Sequence, residues 1–280
     1  MTITNVKATP LLVRNKVPYY WAAGVRYGAE VILIEVQTDD GITGYGESIG
    51  TPSVAGVSAF VNTAALHLIG GSVFDSRRLM RQCYHALFQA HGTCSAPRFG
   101  GQVFAGLEMA MWDAAGKTAG CAVHELLGGK VRDSIDYFGF IQGETAEMLA
   151  ADAARLVSEG HRVIYGKVGR GEQLDIEIVR QVRAAVGESV RLRFDPNEAW
   201  DPLTATKMIC KLAVYDVEMI EQPCDHRSLY ALRQIRESSS TAIAADQSVF
   251  NAADVYTAVT LGAADLIVLG LHETGGVVTF

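Results

Sequence analysis

HRVIYGKVGRGEQLDIEIVRQVRAAVGESVRLRFDPN, residues 161–197, holds two short apolar runs, VIYGK and RLRFD, on either side of a segment in which Leu174, Ile178, Val182 and Val186 recur every four residues. The runs are too short for helices and read as strands. The segment between them reads as an amphipathic helix with one buried face. The same unit recurs outward from this stretch. DYFGFI precedes the helical TAEMLAADAARLVSEG on the N-terminal side; RLRFDPN precedes PLTATKMICKLAVYD, VEMIEQP precedes LYALRQIRESSS, AIAADQS precedes NAADVYTAVTLGA, and DLIVLGL comes last. Six strands alternating with five helices, at a pitch of about 25 to 30 residues, predict a parallel α/β fold. The strands are continuously apolar, as expected where helices cover their outer face. YFGFIQGET after the first strand is not the G-x-G-x-x-G of a dinucleotide-binding sheet, so a TIM-like (β/α) barrel is favoured over a doubly wound one.

Residues 1–130 have a different character. VILIEVQT runs into a turn at Asp39, Asp40 and Gly41, and ITGYGES returns, which predicts a β-hairpin. Helical periodicity follows in VNTAALHLIG, RRLMRQCYHALFQA and VFAGLEMAMWDAAGKTAG, up to the paired Gly128 and Gly129. The expected division is therefore 1–130 and 131–280. The whole chain has 280 residues, 49% hydrophobic and 20% charged, which excludes a disordered polymer. Its net charge of −7, with no basic run, argues against nucleic acid as a partner. The N-terminus lacks the apolar core of a signal peptide and no membrane-length apolar run occurs, so a cytoplasmic protein is expected. Five scattered cysteines (Cys83, Cys94, Cys121, Cys210, Cys224) form no C-x-x-C pair and read as reduced thiols.

Catalytic groups of a barrel sit where strands end and the following loops begin. Successive strands here end in Tyr165-Gly166-Lys167, Asp195-Pro196-Asn197, Glu221-Gln222-Pro223 and Asp246-Gln247-Ser248. Asp195, Glu221 and Asp246 are spaced by 26 and then 25 residues, one strand–helix pitch each, so three carboxylates should converge at the barrel mouth. Converging carboxylates repel, and a hard divalent cation resolves that repulsion. Oxygen ligands with room for water and substrate suit Mg²⁺, and no His or Cys at these positions invites zinc. Any one of the acids could instead cap the following helix. Period two puts Tyr165 and Lys167 on one face, where burial and a cation would lower the lysine pKa toward that of a general base; the alternative is a structural lysine paired to a carboxylate. Asn197 shares a face with Asp195 and is a candidate to hydrogen-bond a ligand carboxylate or its water. Tyr19, Tyr20, Trp21 and Arg26 form an aromatic and basic stretch ahead of the hairpin, with Tyr20 and Arg26 as candidate substrate contacts; an exposed arginine is the plainer alternative. His67, His85, His91, His124, His161 and His226 match no ligand spacing and read as structural or solvated.

Taken together, LRFDPNEAW, IEQP, AADQS, the late TGG and AGLEMAMWDAAGKTAGCAVHELLGG resemble the mandelate racemase and muconate lactonising enzyme family of the enolase superfamily, over essentially the whole chain. The resemblance implies an α+β N-terminal capping domain over a modified barrel, of which strands one to six are present and the last are not. It also implies one essential Mg²⁺, a small-molecule carboxylate substrate, a homo-oligomer, and removal of the proton α to the carboxylate to give an enediolate held on the metal. By position, Asp195, Glu221 and Asp246 match the family's metal ligands, and Lys167 matches the second lysine of its K-x-K pair, the base.

Three departures bear on the outcome. Tyr165 stands where the first lysine of the pair would be. Gly270 stands where relatives carry a lysine or aspartate on strand six, leaving His272, of the same parity, as a candidate acid on the opposite face against a plain loop histidine. Gln247 stands where the lactonising subgroup often has Glu. With one clear base, elimination of water from a hydroxy or sugar acid, or a cycloisomerisation, is expected. Racemisation or epimerisation, a non-catalytic metal-binding barrel and a truncated, inactive chain are the alternatives.

Overall fold

The structure is a computed structural model and describes residues 1–89 and 97–278; His91 and Cys94 fall outside the described residues. The chain divides into two compact units. The first comprises Met1–Arg14, Gly28–Ser134 and Leu269–Phe280, and the second Asn15–Tyr27 and Ile135–Val268.

In the first unit a three-stranded sheet runs in the order β1 (Ile3–Trp21), β2 (Gly24–Thr38), β3 (Thr43–Ile49). The hairpin expected around Asp39–Gly41 is β2–β3, antiparallel, in register from Val31 opposite Ile49 to Gln37 opposite Thr43. Sequence patterning did not show the longer hairpin before it. β1 and β2 continue past the first unit to a turn at Ala22–Ala23, and their tip, Asn15–Tyr27, belongs to the second unit. Within the first unit Ile32, Ile34 and Val36 alternate inward from β2 and pack among Val57, Val61 and Ala64 of α1 (Val54–Ala65), Leu79 and Cys83 of α2 (Ser76–Tyr84), and Leu107, Met111 and Ala114 of α3 (Pro97–Ala119). Burial pushes the Cys83 thiol up to about 12, consistent with an inert core side chain.

The glycines of ITGYGES face α3. A Cβ on Gly46 would lie 2.0 Å from the Gly106 carbonyl oxygen, and one on Gly44 2.1 Å from that of Ala110. Strand and helix therefore approach backbone to backbone, which only hydrogen side chains permit. Glu108 of α3, 1% exposed, accepts from the Trp112 indole at 2.7 Å and from the backbone of Val277 and Val278 at 2.5 and 3.1 Å, and burial raises its pKa. α4 (Val123–Leu126) follows α3, and the Glu108 carboxylate satisfies the donors of the segment after the last helix, α10 (Leu271–Thr274), which packs on α3.

The second unit is the alternating pattern made solid. Six parallel strands, β4 (Gly139–Phe140), β5 (Val163–Lys167), β6 (Arg191–Asp195), β7 (Val217–Glu221), β8 (Ala242–Ala245) and β9 (Leu266–Ile267), hydrogen-bond strictly in chain order. A doubly wound sheet reverses its order at the middle; a barrel sheet does not. The fold is the barrel type. Between the strands run α5 (Ala146–Ser158), α6 (Glu172–Val186), α7 (Pro202–Leu212), α8 (Leu229–Glu237) and α9 (Ala252–Leu261). Among the described residues no helix is long and apolar enough to cross a membrane.

These helices carry their own caps. Asp201 accepts from the amides of Leu203 and Thr204 at the start of α7, Ser228 from Ala231 at α8, and Asn251 from Ala253 and Asp254 at α9. The acids that end β6, β7 and β8 are not those caps and remain available at the sheet edge.

Substituting Gly46→Ala should destabilise the protein by about 1–3 kcal/mol through forced separation of β3 from α3. Equilibrium urea unfolding, compared with a surface alanine control, measures it, and an unchanged midpoint would contradict the close approach.

Candidate active site

Parallel pairing brings the C-terminal ends of all six strands to one edge, and the register places Lys167 of β5 directly beside Asp195 of β6. Tyr165, Lys167, Arg193, Met219 and Glu221 accordingly face the same cavity, of about 500 Å³, with Phe138, Phe140, Tyr19 and the β9 strand completing its walls.

Asp195 is the hub. At 1% exposed, it accepts from the Lys167 ammonium at 2.5 Å and the Tyr165 hydroxyl at 2.8 Å. It also accepts from the backbone and side-chain amides of Asn197, at 2.6 and 2.8 Å. Asn197 (φ 47°) and Glu198 (φ 65°) turn through the left-handed region, and this fold-back brings the Asn197 amides onto the carboxylate. Asn197 thus holds Asp195 directly. The Tyr165 hydroxyl also lies 3.2 Å from Glu221 Oε2, so it bridges two of the three acids. Burial and those two carboxylates push the phenol well above its ordinary range, and it stays a neutral donor.

Glu221 and Asp246 are 6% and 9% exposed. Burial, then Asp195 and Asp246, push the Glu221 carboxyl up to about 8. Lys167 departs from the lowered pKa expected of it. Burial does disfavour its ammonium, but the adjacent Asp195, with Tyr19 and Glu221 adding to it, outweighs burial and raises the value. Without a cation to engage Asp195, the lysine serves as that counter-charge.

Three buried carboxylates at successive strand ends form an oxygen-rich donor set of the kind a hard divalent cation fits. The Gln247 side-chain oxygen, next to Asp246 in the chain, is buried with no hydrogen-bond partner among the described residues. The acids are not drawn tightly together, however, since the Lys167 and Tyr165 heads lie against Asp195. Among the described residues, the group of three potential ligands with all donor atoms within 4.8 Å of one another is Glu198, Asp225 and His226, in the loops beyond β6 and β7. There Glu198 already binds His226 Nδ1 at 2.7 Å and Asp225 binds Arg227 at 2.5 Å.

Two positioning residues escaped sequence reasoning. Gln222, 1% exposed, accepts from the amides of Asp246 and Ser248 at 3.0 and 3.2 Å and donates to the Cys224 carbonyl at 2.9 Å, tying the β7 and β8 ends together. Asp175, fully buried in the first turn of α6, accepts from the amides of Gly169 and Arg170, both at 3.0 Å, and fixes the loop after Lys167. Neither carries a local signal: Gln222 sits between Glu221 and Pro223, and Asp175 among the polar residues that open α6.

Of the remaining candidates, Tyr20 hydrogen-bonds Glu144 at 3.2 Å under the Arg170 guanidinium, and Arg26 stacks on Trp21, 4.6 Å from the ring centroid. Neither lines the cavity; the neighbouring Tyr19 does. His272 belongs to the first unit, on the short helix α10 (Leu271–Thr274), with its side chain 47% exposed.

Comparison with known proteins agrees with this fold. Residues 3–128 match the mandelate racemase / muconate lactonizing enzyme N-terminal domain, and residues 148–280 match the enolase C-terminal domain-like family. The chain is 29% identical to an L-Ala-D/L-Glu epimerase of Bacillus subtilis (strain 168), over 99% of its own length and 75% of the relative's. It is 30% identical to muconate cycloisomerase 1 of Rhodococcus opacus, over 99% and 74%. The crystal structure of a dipeptide epimerase from Cytophaga hutchinsonii, complexed with Mg and D-Ala-L-Val, superposes with a TM-score of 0.89 at 26% identity, over 100% of this chain and 74% of that one. The chain belongs to the mandelate racemase/muconate lactonizing enzyme family of the enolase superfamily. It is an enzyme of that family's lyase and isomerase type.

The Glu221 pKa has a direct consequence for stability. Below about pH 4.5 the carboxyl is protonated whether the chain is folded or not; as pH rises toward 8 the unfolded chain releases the proton while the folded one keeps it, so the folded state loses stability. Glu221→Gln should therefore raise the melting temperature of metal-free protein at pH 8 by several degrees and leave it little changed at pH 4.5. Thermal unfolding across that range checks it; equal melting temperatures at pH 8 would show that the acids do not repel.

Proposed function

We propose that this chain is a Mg²⁺-dependent enzyme that removes the α-proton of a small-molecule carboxylate substrate, with Lys167 as the base and Asp195, Glu221 and Asp246 holding the metal. The observation that carries the reading is Lys167 on the cavity wall, in register with Asp195 and on the same face as Glu221. Bound there, Mg²⁺ would act as a Lewis acid, offsetting the negative charge that develops on the substrate carboxylate.

The chain's own residues do the rest. In the metal-free site Asp195 keeps Lys167 protonated. Were Asp195 engaged as a ligand, that acceptor would be withdrawn, and burial, which favours the free amine, would be the main influence on Nζ. Lys167 then takes the proton from the α-carbon. Tyr165, neutral and unable to compete as a base, orients Asp195 and Glu221 through its bridging hydroxyl. Asn197 holds Asp195 from the other side, and Gln222 fixes the backbone at Asp246.

One base on one face supports a reaction that ends in loss of a leaving group or ring formation: dehydration of a hydroxylated acid, or cycloisomerisation. Gly270 supplies no second base. Epimerisation is the second reading, favoured by the Bacillus and Cytophaga relatives.

Incubation with Mg²⁺ in D₂O and a panel of hydroxylated acids and dipeptides, followed by NMR, should show deuterium entering at the α-carbon or product forming. Lys167→Ala should lower the rate by about 10²–10⁴-fold. Retained stereochemistry at the exchanged carbon supports the one-base reading and inverted product the epimerase; no exchange from folded protein that binds Mg²⁺ rejects both. Independently of turnover, Mg²⁺ should raise the melting temperature of the native protein and do so far less for Glu221→Gln.

A further inference from the structure

Four non-glycine residues among those described take a positive φ, and three of them stand at one junction beyond the strand ends: Asn197 (47°), Glu198 (65°) and Gln222 (32°). Left-handed backbone in residues that carry side chains is strained and persists where surrounding contacts fix it. Asn197 and Gln222 have evident reasons to be held there, since the first donates to Asp195 and the second accepts from the amides of Asp246 and Ser248. Glu198 turns the other way, to the loop after β7.

One oxygen of the Glu198 carboxylate accepts from the His226 backbone amide at 2.6 Å and from the His226 ring at Nδ1 at 2.7 Å. A carboxylate only accepts, so Nδ1 carries the hydrogen. Asp225 lies 4.0 Å from the same nitrogen and is engaged by Arg227 at 2.5 Å, which leaves Glu198 as the nearer acceptor. The Glu198 amide donates to the Gln222 carbonyl at 2.9 Å, and the His226 carbonyl accepts from Ser248 Oγ at 3.2 Å. A single carboxylate thus ties the loop after β6 to the loop after β7, and His226 passes the tie on to the loop after β8. These are the loops that follow Asp195, Glu221 and Asp246.

We infer that Glu198 and His226 form a clasp that positions Asp195, acting through Asn197. Asn197 and Glu198 are consecutive and share one left-handed turn, and that turn carries both Asn197 donors onto the Asp195 carboxylate. Releasing the Glu198 side chain lets the turn relax toward ordinary backbone, and the Asn197 donors leave Asp195 with it. The inference rests on the proposed function for one point, that Asp195, Glu221 and Asp246 hold the metal.

Backbone hydrogen exchange followed by NMR on the metal-free protein reads the turn without any metal. Glu198→Ala should lower the protection of the Asn197 amide about tenfold, whereas Glu198→Gln, which keeps the acceptor oxygen without its charge, should stay within about threefold of native. His226→Ala retains the backbone donor and should lower protection about threefold; His226→Asn, whose side-chain amide stands in for Nδ1–H, should restore it. The double alanine variant should be no worse than Glu198→Ala alone. Calorimetric titration with Mg²⁺ should show affinity weakened about tenfold in Glu198→Ala and preserved in Glu198→Gln. Unchanged Asn197 protection in both alanine variants overturns the inference, as does a Glu198→Gln protein as impaired as Glu198→Ala, which would make charge and not position the cause. Should Glu198→Ala not fold, the contrast between His226→Ala and His226→Asn decides by the same criteria. The two readings fail separately: Mg²⁺ affinity unchanged in Glu221→Gln rejects the metal assignment while hydrogen exchange still decides the clasp, whereas intact Mg²⁺ affinity in Glu198→Ala, with binding lost in Glu221→Gln, rejects the clasp alone.

Discussion

Three carboxylates buried side by side at the edge of a parallel sheet are the constraint around which the second unit is arranged. Burial of even one unpaired carboxylate costs several kcal/mol, and like charges in proximity add to it. The chain meets this with compact means. Lys167 and Tyr165 come from one strand and reach Asp195 together. Asn197 turns back through left-handed backbone to add two further donors. Glu221 is reached by the Tyr165 hydroxyl, and burial, then Asp195 and Asp246, still push its carboxyl up.

Much of this was legible in the sequence. The pitch of apolar runs and helices identified the strands of the second unit, and their chain-order pairing follows from the right-handed strand–helix–strand connection. Asp195, Glu221 and Asp246 could be picked out because each ends a strand-like run one strand–helix pitch from the next. The long hairpin of β1 and β2 was not legible, because Asn15–Tyr27 is half exposed and lacks a clean alternation of polar and apolar residues. Its tip therefore read only as an aromatic and basic stretch ahead of the shorter hairpin, with nothing to show that Tyr19 rather than Tyr20 lines the cavity. Gln222 and Asp175 were hidden for a different reason. Their role is to satisfy backbone amides of other segments, and local patterning does not reveal which amides a fold leaves unpaired.

The pKa of Lys167 illustrates how composition and geometry diverge. Burial alone would lower it, and the sequence offers no way to know that an acid stands directly beside it in register. The same lysine can serve as a counter-charge or as a base, and the difference lies in whether Asp195 is otherwise engaged. Tyr165 makes that choice sharper, since it contributes a hydrogen bond without contributing charge.

The separate caps of α7, α8 and α9 carry an implication for how such a protein changes over time. Asp201, Ser228 and Asn251 take the duty of starting the helices, several residues beyond the strand ends. Residues 195, 221 and 246 are consequently relieved of any part in helix initiation. Replacement at those three positions leaves the scaffold's helices intact, so lineages built on this frame can exchange reactive groups at the strand tips while the architecture beneath persists.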